Sequence, residues 1–179
     1  MKEIVVISGK GGTGKTSITA SLAYLKQESS VVADCDVDAA DMHLLMKPDF
    51  GHPEDFYSGA IASINPEKCI KCNKCRQVCA FDAIFYEKEQ FIVDELNCEG
   101  CSYCYHVCPS QAITMFDAYS GKTYVSQTRM DSPLIHAQLA IGADNSGKLV
   151  TKVKDIAKAL AQERETEYLL IDGTPGIGC

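Results

Sequence analysis

The chain has 179 residues and a formal net charge of −7. That length suffices for a sizeable core, and 46% hydrophobic with 23% charged residues is ordinary for a globular chain. The acidic balance argues against a nucleic-acid footprint, no apolar run is long enough to span a membrane, and Met1–Ile7 is not a signal peptide. Ten cysteines are the outlier. Tight, repeated spacings without an export signal point to metal ligation in a reducing cytoplasm rather than to disulfides.

The first element is a short β-branched run, Ile4–Ile7. Gly9, Lys10, Gly11, Gly12, Thr13, Gly14, Lys15 and Thr16 follow, then a helix-compatible stretch to Gln27. Gly9-x4-Gly14-Lys15-Thr16 fits G-x4-G-K-[ST] in a strand–loop–helix context. Glycines let backbone N–H groups approach phosphate oxygens, and the helix N-terminus adds its dipole. Lys15 is expected to reach phosphate and Thr16 to bind Mg²⁺. Val31–Asp38 reads as a strand ending in acidic residues, with Cys35 as a buried thiol; Asp38 and Asp41 read as solvated loop carboxylates.

Next comes an internal repeat. At an offset of 29, Cys69, Cys72, Cys75 and Cys79 fall on Cys98, Cys101, Cys104 and Cys108. Both copies read C-x2-C-x2-C-x3-C. Zinc also uses C-x2-C pairs, but three evenly spaced cysteines plus a fourth, twice over, argue against it. The second copy has Pro109 after its last cysteine where the first has Ala80. Apolar stretches at 60–64, 83–86, 91–93 and 113–116 are expected to form two small hairpins, and Tyr103 and Tyr105 to pack against a metal group.

Beyond the repeat, 122–129 and 134–141 are β-rich and read as a further hairpin, with His136 as a sheet histidine. Asn145-Ser146 is a helix N-cap signal, and apolar residues recur at helical spacing from Leu149 to Ala161. Tyr168–Asp172 is a buried strand with a terminal carboxylate, which completes a parallel crossover unit.

Residues of about 60 to 118 resemble a bacterial 2[4Fe–4S] ferredoxin. In such proteins the fourth cysteine of each run serves the other cluster. The resemblance therefore implies cluster I on Cys69, Cys72, Cys75 and Cys108. It implies cluster II on Cys79, Cys98, Cys101 and Cys104.

Lys10, just after the first glycine, looks like the deviant Walker A motif of the MinD/ParA/nitrogenase iron protein group (CobQ/CobB/MinD/ParA). That resemblance implies an α/β P-loop NTPase fold with a parallel sheet and an inserted ferredoxin-like α+β domain. The expected parts are 1–58, 59–118 and 119–179. It makes Lys10, Lys15 and Asp36 catalytic, and gives Mg²⁺ to Thr16, Asp36 and Asp172, with Gly173–Gly176 as a second switch. The cofactors implied are two [4Fe–4S] clusters and ATP with Mg²⁺. The function implied is an ATPase cycle coupled to electron transfer in a cytoplasmic, nucleotide-dependent homodimer that meets a redox partner or a metal-cofactor acceptor. Alternatives are a cofactor-assembly ATPase and a simple ferredoxin-type carrier. Because that group continues past its second switch, the end at Cys179 is expected to be a truncation, and Cys179 itself a buried thiol or a redox residue.

Overall fold

The computed structural model describes every residue except Ala39, Asp144, Asn145 and 176–179. The N-cap expected at Asn145, Gly176 of the expected second switch and the reading of Cys179 lie outside the described residues. The chain divides into two compact units, Met1–Phe56 with Ser120–Cys179, and Tyr57–Tyr119.

The larger sheet has six strands ordered β1-β8-β2-β7-β6-β3, of which β1, β8, β2 and β7 lie wholly in the first unit. β1 (Lys2–Ser8), β8 (Tyr168–Pro175), β2 (Ser30–Asp34) and β7 (Leu134–Leu139) run parallel, while β6 (Ile113–Ser126) pairs antiparallel with β7. The sheet is thus mostly parallel, as a mixed α/β chain allows. Its central strands read as unbroken apolar runs because both faces are covered. Val31, Ala33, Ile135, Leu169 and Ile171 face α5 (Ser146–Glu163), which offers Leu149, Val153, Ala157 and Ala161 at four-residue spacing. Val32, Leu134 and Leu170 face the other way, toward Ala20 and Ala23 of α1 (Lys15–Lys26) and toward Met42 and Met46 of α2 (Met42–Met46). Leu149 and Val153 are fully buried, each a gain of about 1.5–3 kcal/mol.

The expected hairpin at 122–129 and 134–141 forms as β6 with β7, paired from Gly121↔Leu139 to Ser126↔Leu134. β6 is longer than expected. It joins the stretches expected separately at 113–116 and 122–129, with strand continuing through 117–121. Gly121 permits this: it sits at φ +149, and a Cβ there would meet the Gln138 carbonyl oxygen at 2.3 Å. His136 is buried and shares a 2.9 Å hydrogen bond with Ser126 Oγ. Its ring stacks on Tyr124 at 4.9 Å, and burial holds its pKa down at about 4.

The second unit contains α3 (Lys74–Val78), the hairpin β4 (Ile84–Glu87) with β5 (Gln90–Val93), and α4 (Tyr103–Val107). The expected stretches 60–64 and 113–116 belong to the twelve-residue β3 (Pro53–Ile64) and the fourteen-residue β6, which are hydrogen-bonded neighbours in the large sheet. The 29-residue repeat is a repeat of backbone as well. Asn73 and Ser102 precede α3 and α4 with φ 65 and 62, and Cys79 and Cys108 follow them with identical φ −74 and ψ 109. Asp82 and Gln111 share φ 52 and 51.

Candidate iron–sulfur and phosphate sites

Left-handed residues punctuate each tight C-x2-C-x2-C loop, Lys71 and Asn73 in the first copy and Gly100 and Ser102 in the second; the third cysteine of each, Cys75 or Cys104, is buried and the middle one, Cys72 or Cys101, is exposed. At Gly100 no other residue would fit, since a Cβ would lie 2.2 Å from the Ala60 carbonyl oxygen. The short helix after each loop then carries the fourth cysteine away from its own loop. One small cavity is lined by Cys69, Cys72, Cys75 and Cys108, together with Ile64, Phe91 and Ile113. A second is lined by Cys79, Cys98, Cys101 and Cys104, together with Ala62, Ile84 and Met115. The structure therefore brings together the two sets of four named from the sequence, with Cys79 and Cys108 exchanged.

Two apolar cavities ringed by four thiols suit a group that binds thiolate sulfur. Burial raises the pKa of Cys75, and the neighbouring Cys69 and Cys72 raise it further; burial likewise raises Cys104, helped by Cys98, Cys101 and Cys75. Crowded thiols of this kind ionise only against a compensating cation, which iron supplies. Cys108 differs. Burial pushes it up, but N–H donors, chiefly Ala112 at 3.3 Å, and the Ser110 hydroxyl bring it below the ordinary thiol value. Tyr103 and Tyr105 are both about half exposed: Tyr103 lines the second cavity, where a metal group would meet it, whereas Tyr105 lines neither cavity and packs against His106.

Comparison with known proteins agrees with this geometry. Residues 62–115 match the family described as 4Fe–4S dicluster domain. This domain accounts for about a third of the chain, and no P-loop ATPase or MinD/ParA family matches. The assignment to a MinD/ParA-type ATPase with an inserted ferredoxin domain is therefore corrected. Motifs of eight residues and single aspartates had carried it, and these recur outside any one family. A protein of Methanocaldococcus jannaschii, described as uncharacterised, is 38% identical over 99% of this chain and 61% of its own length. The chain thus spans about three-fifths of that relative. An archaeal-type glutamate synthase of Thermotoga maritima is 38% identical over 50 residues, 27% of this chain and 10% of its own length. An indolepyruvate oxidoreductase subunit of Methanothermobacter marburgensis is 36% identical over 55 residues, 31% of this chain and 9% of its own. These findings support an iron–sulfur electron carrier; they lend nothing to ATP hydrolysis.

The residues expected to hold phosphate and Mg²⁺ meet at the carboxyl ends of β1, β2 and β8. The loop Gly9–Gly14 is exposed, with Gly12 at φ 73 and Gly14 at φ 91, and no side chain caps α1. No protein atom lies within 4 Å of where a Cβ would sit at Gly9, Gly11, Gly12 or Gly14, so packing is not what requires glycine at Gly9 and Gly11. Lys15 is buried and its ammonium lies 3.9 Å from Asp36. Thr16 donates a 2.6 Å hydrogen bond to Asp172. Lys10 is exposed in the loop, as are Asp38 and Asp41 beyond β2.

One residue here was not singled out from the sequence. Asp34 pairs in register with Asp172, is 1% exposed, and its Oδ2 has no hydrogen-bond partner. Burial drives its pKa up to about 7, with Asp172 and Asp36 adding to the rise. Burial raises Asp172 too, against Thr16, Lys15 and Thr19. Asp34 and Asp172 thus sit side by side on neighbouring strands, with Asp36 just beyond β2. The signal was Asp34-Cys35-Asp36 itself, where only the second carboxylate drew notice. Cys35 is buried, and its thiol is pushed up to about 12.

Proposed function

We propose that this chain is an iron–sulfur electron carrier that holds two [4Fe–4S] clusters and passes single electrons between protein partners. The observation that supports it best is the pair of four-cysteine cavities, each completed by the fourth cysteine of the other repeat. Cys69, Cys72, Cys75 and Cys108 would hold one cluster, and Cys79, Cys98, Cys101 and Cys104 the other. The clusters supply reversible one-electron storage. The chain supplies the rest. Its loops fix thiolates in position, Phe91 and Met115 keep water from the sulfurs, and the N–H groups at Cys108 stabilise negative charge. Cys75 and Cys104 belong to one buried cluster, so the two cavities border a shared core.

The test is iron and sulfide counting with electron paramagnetic resonance on anaerobic protein. Eight irons per chain are expected. Cys75→Ser should remove one cluster signal and Cys79→Ser the other. A wild-type count of two metal ions per chain, with zinc in place of iron, would sink the reading.

A second reading concerns the first unit. The Thr16–Asp172 bond beside the buried Lys15–Asp36 pair favours a site for a Mg²⁺-bound phosphate ligand, cradled by Gly9–Thr16. Titration with Mg²⁺ and a fluorescent nucleoside triphosphate tests it. Binding that Lys15→Ala abolishes supports the site; equal binding by wild type and variant rejects it.

A further inference from the structure

The two halves of the dicluster unit share one backbone and carry opposite charge. Around the first loop stand Lys68, Lys71, Lys74 and Arg76 against Glu67 alone. Around the second stand Asp94, Glu95 and Glu99, and no lysine or arginine occurs between Glu89 and Gly121. All four cations are exposed, and none forms an ion pair among the described residues. The asymmetry reaches the cavity walls. Lys74 and Ile70 line the first cavity; their counterparts Tyr103 and Glu99 line the second. Lys71 holds a left-handed φ of 56 where its counterpart is Gly100, so a long cation stands at a backbone position that ordinarily favours glycine.

We infer that the Lys68–Arg76 loop is the docking face for an acidic one-electron carrier protein, which exchanges its electron with the cluster held beside that loop. The inference rests on the iron–sulfur reading above. Cations at a rim act chiefly on encounter rate and salt dependence, which is what a transient redox contact needs. Ile70, 64% exposed, gives the ring an apolar centre. A chain of net charge −7 repels nucleic acid and anionic membranes over most of its surface, so a compact acidic protein that meets only this loop fits best. The exchange balances simply: one electron leaves the carrier and enters the cluster, or the reverse, with no bond or proton changed. Cations nearby favour the reduced cluster, so the electron rests on the basic side.

The experiment uses the holoprotein and an acidic flavodoxin as probe, with affinity measured anaerobically across a range of ionic strength. Wild-type affinity should fall as salt rises. Lys71→Gln with Lys74→Gln should weaken binding about tenfold and flatten the salt dependence. Lys148→Gln with Lys152→Gln, the same charge change on α5, should alter affinity less than about twofold. Equal losses in both double variants, no salt-dependent binding of flavodoxin, or loss measured only toward RNA or anionic vesicles would overturn the docking face. Iron count and resonance signals are read first on every sample. Eight irons with failed docking refutes this inference alone; missing clusters in the wild type refute the reading beneath it.

Discussion

The first unit and the dicluster unit solve the problem of a core in opposite ways. Among the described residues, the first buries twelve on the α5 side of its sheet, eleven of them hydrocarbon side chains and one the Cys35 thiol, with Val31, Ile135 and Leu149 fully enclosed. The second buries six, and two of them are Cys75 and Cys104; the side chains packed around these include four more cysteines. Where one unit has branched aliphatics in contact, the other has sulfur facing a cavity. A sheet covered on both faces holds itself together by excluding water, whereas a unit this small needs its metal as part of the core.

The largest effect should come from removing iron. Chelation under anaerobic conditions is expected to abolish amide protection across 57–119 and to leave it in β2, β7 and β8, as hydrogen exchange can measure. Protection that persists in both units would erase the contrast. Ile135→Ala should cost the first unit about 2–5 kcal/mol in a denaturant titration, with no change in iron per chain. Next in size is a pH effect confined to the first unit. Burial, with His43 adding, holds His136 at about 4, while its ordinary value is 6.5. The folded form thus resists the proton that the unfolded chain accepts. Its contribution is present above pH 6.5, is lost as pH falls toward 4, and amounts to at most about 3 kcal/mol. Urea midpoints should fall less steeply with pH in His136→Gln than in wild type. Smallest is Lys158→Ala. It removes a half-exposed 3.1 Å pair with Glu3 and should cost under about 1 kcal/mol in the same titration.

Much of this contrast was legible in the sequence, because it rests on local spacing. The offset of 29 located both cysteine loops, and the four-residue spacing of Leu149, Val153, Ala157 and Ala161 located α5. The strand–loop–helix at Ile4–Gln27 was equally plain. What escaped depends on residues distant in the chain. β6 runs unbroken through Gly121, because the Gln138 carbonyl stands where its Cβ would be. Asp34 looked like one acidic residue among several until register set it opposite Asp172. Family membership was overread for a similar reason: the motif residues are present, but a loop and two aspartates report a local geometry and not a lineage.

The exchange of Cys79 and Cys108 has a consequence for assembly. Each cavity draws three cysteines from one repeat and its last from the other, across 19 to 39 positions of chain. Seating metal in either cavity therefore fixes a cysteine-bearing helix end from both repeats and so preorganises the second cavity. Loading should be cooperative: as iron is supplied in limiting amounts, chains should pass from empty to full, with the half-filled species scarce.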